Sequence, residues 1–171
     1  TLIAALVLIW IQDHQQLADL LRLPQTAAAL VWGGAYAVMV LFIDLAIMHM
    51  IPKQFMDDGG LNERIFKHRA LWHLIVICFV VAVCEELLFR GAVQYWLGPY
   101  WTSIVFTTLH VRYLRHWLLT GLIFLISYGL GWLYIYTGSL WSSIFAHFVI
   151  DFILGCLIKY GGKKSNVAKD G

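Results

Sequence analysis

Hydrophobic positions in this chain come in long unbroken runs, without the alternation of a half-buried strand or the polar face of a surface helix. A membrane-crossing helix needs about 20 mostly apolar residues. Ala27–Ile51 meets that length with one charge, Asp44. Ala70–Leu97 opens with fifteen uncharged residues and then carries Glu85, Glu86 and Arg90. Pro99–Val111 is short and begins among aromatics, Trp117–Thr137 has no charge at all, and Leu140–Ile158 is interrupted only by His147 and Asp151. The first run, Thr1–Ile11, is too short to cross and reads as part of a span whose start is missing. Lipid strands the polar groups of irregular backbone, so each run is expected to be helical. No strand periodicity suggests a barrel. The expected fold is therefore all-α: one polytopic transmembrane helix bundle over residues 1–171, with five full or nearly full spans, a partial one at the start, and a polar, frayed tail from Gly161 to Gly171.

Composition supports the same reading. Of 171 residues, 61 % are hydrophobic and 13 % charged, against about 45–50 % and about 25 % in ordinary soluble domains. A net charge of +2 without a clustered basic face makes no case for nucleic acid. Cys78, Cys84 and Cys156 are odd in number, lie in apolar runs and suggest neither a disulfide framework nor a thiolate zinc site. Alternate threading puts Lys53, Arg64, Lys67, Arg69, Arg112, Arg115, Lys159, Lys163, Lys164 and Lys169 on one side and only Arg22 on the other. That asymmetry predicts cytoplasmic basic loops and a cytoplasmic C-terminus. Tyr95, Trp96, Tyr100, Trp101, Trp132, Tyr134, Tyr136 and Trp141 gather at the opposite ends, as an interfacial belt does.

The charges inside the runs need explaining, because each costs roughly 2.5–3.5 kcal/mol at mid-bilayer. At ~1.5 Å of rise per residue, Glu85, His110 and Asp151 fall roughly 16–18 Å from one membrane face, and His147 about 12 Å. Three helices thus carry polar groups to one layer. Glu86 and Arg90 share a helix face and can pair, as can His147 and Asp151. For Arg90 the leading reading is a buried structural ion pair. His110 also fits an interfacial residue near Arg112, and His147 with Asp151 fits an interhelical polar contact. Glu85 points away from Glu86 and must find a partner on another span, which makes it the strongest functional candidate. His49 and His73 fit span ends; Asp44 has no named partner.

Glu85, His110, His147 and Asp151 make a plausible hydrolase set. A buried carboxylate suits a general base, and a histidine suits an oxyanion donor. Glu85, His110 and His147 would equally serve as zinc ligands with an open position. The helical H-E-x-x-H motif is absent, and no Ser or Cys sits with a base as a nucleophile.

Three motifs carry a resemblance. Glu85-Glu86-Leu-Leu-Phe-Arg90 reads E-E-x-x-x-R, Phe106-Thr-Thr-Leu-His110 reads F-x-x-x-H, and His147-Phe-Val-Ile-Asp151 reads H-x-x-x-D. In this order on successive apolar segments, they resemble the signature of the CAAX protease and bacteriocin-processing (CPBP, or Abi) family of intramembrane endopeptidases. The likeness covers about residues 70–158. It implies hydrolysis of a peptide bond near the C-terminus of a lipidated or membrane-bound protein or peptide, in a hydrated intramembrane cavity. The compact size and basic loops separately suit a bacterial cytoplasmic membrane. The resemblance further implies Glu85 as the base activating water with His110 assisting, Glu86 and Arg90 organising the helix, and His147 with residue 151 stabilising the oxyanion. A metal-free mechanism without a cofactor is the preferred implication, with zinc the alternative. Many members have Asn where this chain has Asp151. An ionised Asp cannot donate to an oxyanion, so Asp151 would orient His147, or donate only if protonated. Two other functions remain open on the residues: a non-catalytic membrane scaffold or regulator, and a proton-coupled transporter.

Overall fold

The computed structural model describes residues 1–12, 17–24, 26–50, 61–67, 69–110 and 116–161, with only the backbone of 61–63. Lys53, Arg112, Arg115, Lys163, Lys164 and Lys169 lie outside the described residues. In chain order the helices are α1 (Leu2–Ile11), α2 (Leu17–Leu20), α3 (Ala28–Met50), α4 (Leu61–Phe66), α5 (Leu71–Glu86), a π-helical segment (Leu87–Val93), α6 (Gln94–Leu109), α7 (Trp117–Thr137) and α8 (Leu140–Gly161). Among the described residues no strand occurs.

Four stretches are long and apolar enough to cross a membrane: α3, the continuous run Leu71–Leu109, α7 and α8. What the pattern divided into two spans, Ala70–Leu97 and Pro99–Val111, is one 39-residue apolar run broken at Gly98. Gly98 has φ 68° and ψ 172°, a conformation open to glycine, and Pro99 starts the new limb without needing an amide donor. The limb after Pro99 folds back on the π-helical segment, where the Phe89 and Phe106 rings meet edge to face at 4.7 Å. The break is thus the tip of a helical hairpin. One turn beyond Phe106, His110 returns to the level of Glu85 and Glu86.

The bundle is apolar outside and polar inside. Trp32, Val38, Phe42, Trp72 and Tyr136 are exposed, while Glu86, Arg90, Thr102, Ser103, Ser127, Ser142 and Ser143 are fully buried. Water would reverse that distribution, so the surrounding solvent is lipid and the chain is an integral membrane protein. Because lipid offers no hydrophobic drive between helices, close packing of small residues holds them together. On α3, Ala29, Gly33 and Ala37 recur every fourth residue on the buried face. A Cβ on Gly33 would stand 2.5 Å from the Ser142 carbonyl oxygen on α8. That oxygen belongs to helix backbone and cannot give way cheaply. Gly33→Val is expected to lower stability by about 1–3 kcal/mol by overpacking. A lower unfolding temperature in detergent, with Gly34→Ala close to wild type, is the check.

α7 and α8 form a second hairpin. Gly138, in the left-handed region at φ 64°, ends α7, and α8 begins at Leu140. Thr137 and Ser142 close the turn through their hydroxyls at 2.7 Å. Two elements depart from the sequence expectation. The loop 52–69 contains α4, whose Phe66 ring packs on Gly155 of α8. Helix α8 runs to Gly161, past the expected end at Ile158. Asp44 is buried on the same α3 stripe as Gly33 and Ala37.

Candidate active site

The site is built from the inside outward. Glu86 ends α5 and Arg90 lies in the π-helical segment; both side chains are fully buried, with Arg90 Nη1 3.1 Å from Glu86 Oε1. Removing either partner would leave an uncompensated charge in lipid, so the pair is held from several directions. Arg90 Nη2 donates to the Ser127 carbonyl at 2.8 Å and to its hydroxyl at 3.1 Å, across to α7. The guanidinium also lies 5.4 Å over the Phe106 ring, a cation–π contact strengthened by the absence of water. π-helical turns are rare and recur at functional sites. This one coincides with the residues that carry the guanidinium. Gln12 and Gln94 support it on either side, Gln12 donating to the Ala92 carbonyl and Gln94 to the Gly131 carbonyl, each at 3.0 Å.

His147 reaches in from α8. Its Nδ1–H donates to Glu86 Oε1 at 2.8 Å. Nε2 then faces two further carboxylates, Asp151 Oδ2 at 3.4 Å and Glu85 Oε2 at 3.9 Å. One imidazole therefore stands among three acids: Glu86 behind it, Glu85 and Asp151 in front. Exposure follows the same order. Glu86 is 0 % exposed, His147 10 %, Glu85 22 % and Asp151 34 %. The charged pair forms the closed back of the site, and Glu85 and Asp151 form its open front.

His110 ends the hairpin limb. Its Nδ1–H donates to the Phe106 carbonyl at 2.8 Å, and the two rings stack with centroids 4.4 Å apart. That bond fixes the proton on Nδ1 and leaves Nε2 as the nitrogen with the lone pair. Glu85 lies within electrostatic range of both His110 and His147.

All six residues singled out in the sequence thus fall in one region of the bundle: Glu85, Glu86, Arg90, His110, His147 and Asp151. The structure adds detail to two contacts within the group. Glu86 does more than neutralise Arg90 along its own helix, because it also orients the His147 ring. Asp151 contacts His147 as expected, and it does so at Nε2, on the opposite side of the ring from Glu86. Ser127, Gln12 and Gln94 were not foreseen. Polar residues in apolar runs are a signal, but nothing in the spacing says which backbone carbonyl they meet.

The donor types also suit zinc. Both imidazoles engage Nδ1 in an outer hydrogen bond, the usual arrangement behind a metal-bound Nε2. Their grouping fits less well. Among the described residues no three His, Cys, Asp or Glu side chains converge as a metal-ligand set. Nε2 of His147, facing two carboxylate oxygens, is best satisfied by carrying a proton, and a protonated nitrogen has no lone pair for a metal.

The chain is 40 % identical over 132 residues to the uncharacterized protein YpbD of Bacillus subtilis (strain 168), covering 77 % of this chain and 70 % of that one. No solved structure matches it. The sequence model of the type II CAAX prenyl endopeptidase Rce1-like proteins matches residues 67–153, which hold α5, the π-helical segment, α6, α7 and the His147–Asp151 turn of α8. The chain belongs to the Rce1-like family of type II CAAX prenyl endopeptidases.

Proposed function

We propose that this protein is an intramembrane endopeptidase that hydrolyses a peptide bond near the C-terminus of a lipidated or membrane-bound protein or peptide, with water as nucleophile and no resident cofactor. The observation that carries this reading is the convergence of Glu85 and Asp151 on Nε2 of His147, with the ring held from behind by Glu86. At 3.9 Å the Glu85 carboxylate is too far from Nε2 for a direct hydrogen bond. It is free to accept a proton from water.

In the proposed reaction Glu85 takes a proton from water as the hydroxide oxygen bonds to the scissile carbonyl carbon. The carbonyl oxygen becomes an oxyanion that receives a hydrogen bond from His147 Nε2–H. Collapse breaks the C–N bond, and the proton held by Glu85 passes to the leaving amine, with His110 Nε2 assisting. Glu86 keeps the His147 ring aimed, and Arg90 makes a second buried carboxylate affordable. Asp151 balances the charge on His147 at the open front.

The deciding experiment compares membrane peptides by mass spectrometry in cells making the wild-type or the Glu85→Ala protein. Peptides that gain new C-termini only with the wild type support the proposal. Identical peptide sets would refute it. The cofactor reading has its own check: chelator-washed, active protein should contain far less than one zinc per chain by elemental analysis, and stoichiometric zinc would overturn it. Family membership and the relative in Bacillus subtilis favour a bacterial cytoplasmic membrane. The basic residues favour a cytoplasmic C-terminus, which reporter fusions at the chain end would test.

A further inference from the structure

One carboxylate inside the membrane takes no part in the proposed reaction. Asp44 lies on α3 and is 8 % exposed, and among the described residues nothing pairs with it or donates to it. It borders a recess of about 90 Å³ lined only by residues of α3 and α7. The rest of the lining is apolar apart from the Tyr36 hydroxyl, which is already engaged, donating to the Ile126 carbonyl at 2.9 Å. Tyr36 crosses from α3 to Gly129 on α7 and so closes the recess toward the start of α3. Met39, Ile43 and Leu125 on its rim are exposed, so the mouth faces lipid. None of the six residues of the candidate active site lines it.

The depth of Asp44 limits what can reach it. From Asp44 to Met50, the last residue of α3, the rise is roughly 9 Å. The 23 residues of α3 span roughly 34 Å, slightly more than the ~30 Å hydrocarbon core. The carboxylate therefore sits below the headgroups, at the end of the bundle that carries Arg69 and Lys159. Intramembrane acids are costly and pair with one another or with bases. Among its described residues, a second copy of this chain has no base to offer at that depth. Arg90 is held inside by Glu86 and Ser127, and Lys159, near the end of α8, donates to the Arg69 carbonyl. Phospholipid ammonium groups stay with the headgroups. The matching cation must then enter the bilayer on another helix.

We propose that Asp44 is the docking point for a second membrane protein, whose transmembrane helix lies along the α3–α7 seam and delivers a lysine ammonium into the recess. A space of about 90 Å³ suits an ammonium and the last methylenes of its stem. The rest of the lysine stem is apolar and runs over Met39 and Leu125 at the rim. The ammonium is a compact point charge with three donors, which one carboxylate can meet without the planar space that a guanidinium needs. No water competes for either partner at this depth, so the pair sets both the register and the rotation of the incoming helix. The apolar rim contributes packing; Asp44 contributes the choice of partner.

The test reconstitutes the full chain in phosphatidylcholine vesicles with a synthetic Leu/Ala helix of about 22 residues, long enough to span. The probe carries one lysine roughly two turns from one end, and a control peptide has leucine in its place. Energy transfer between labelled protein and labelled peptide reads association. The wild type should bind the lysine peptide several-fold more tightly than the leucine peptide. Asp44→Asn should reduce the lysine peptide to the level of the control, and Leu125→Trp, which fills the recess, should weaken it. Asp44→Lys should instead prefer a peptide with glutamate at the same position. Equal binding of the two peptides by the wild type, or undiminished binding by Asp44→Asn, would overturn the proposal. Competition by octylammonium at the peptide's own concentration would also overturn it, by making this a site for a small cation. So would a clearly lower melting temperature of Asp44→Asn without any peptide, since the carboxylate would then serve its own bundle. The wild-type comparison decides even if a variant does not fold, and it is read without any measurement of peptide hydrolysis.

Discussion

Glu85→Gln is expected to lower peptide hydrolysis by about 10²–10⁴-fold, the range that general acid–base groups supply, while the protein stays folded. Glutamine keeps the size and the hydrogen-bonding reach of glutamate but cannot take a proton from water. Glu85 is at the open front of the site and is partly exposed, and nothing structural rests on it in the way that Arg90 rests on Glu86. The measurement is turnover of a membrane-peptide substrate beside a thermal melt of the same sample. Activity within a few-fold of wild type, with an unchanged melt, would remove Glu85 from the role of base. A collapse of the melt would make it structural.

Arg90→Met should fail differently. It leaves the Glu86 carboxylate buried without its guanidinium, and breaking a buried pair on one side costs about 3–5 kcal/mol. The prediction becomes sharp in the double variant Glu86→Leu with Arg90→Met. Replacing both charges with apolar groups of similar size should recover much of the lost stability, because such exchanges are often neutral or favourable. Activity should not recover. His147 loses the acceptor on Nδ1 that aims its ring, and the proposed oxyanion donor then lacks a fixed position. Unfolding in a graded detergent series, read beside turnover, separates the two effects. A double variant that is both stable and active would show that Glu86 and Arg90 serve only each other.

Much of the site was legible because lipid makes charge conspicuous. Glu85, Glu86, Arg90, His147 and Asp151 stand in runs where each polar residue carries a free-energy cost, so their presence points to pairing or chemistry before any fold is known. Helical rise alone brought Glu85, His110 and Asp151 to a common depth. Helical facing alone paired Glu86 with Arg90, and the structure has that contact. The two apolar spans were divided at Gly98, yet the consequence, a limb folded back so that Phe106 meets Phe89 edge to face and His110 returns beside the cluster, depends on contacts between residues far apart along the chain.

The sequence by itself determined that the chain is a helical membrane bundle, where most of its spans run, and which side chains must leave the lipid. Those follow from length, hydropathy and helical rise, which are local properties of one segment. Only the tertiary structure decided which partner each of those side chains meets: that Glu86 takes the back of His147, that Asp151 and Glu85 share its front, and that Ser127 holds Arg90. Such contacts depend on how far each helix is rotated and displaced against its neighbours. Close approaches such as Gly33 on the Ser142 carbonyl, and a π-helical turn that shifts the register of Arg90, set that rotation, and no single segment contains the information.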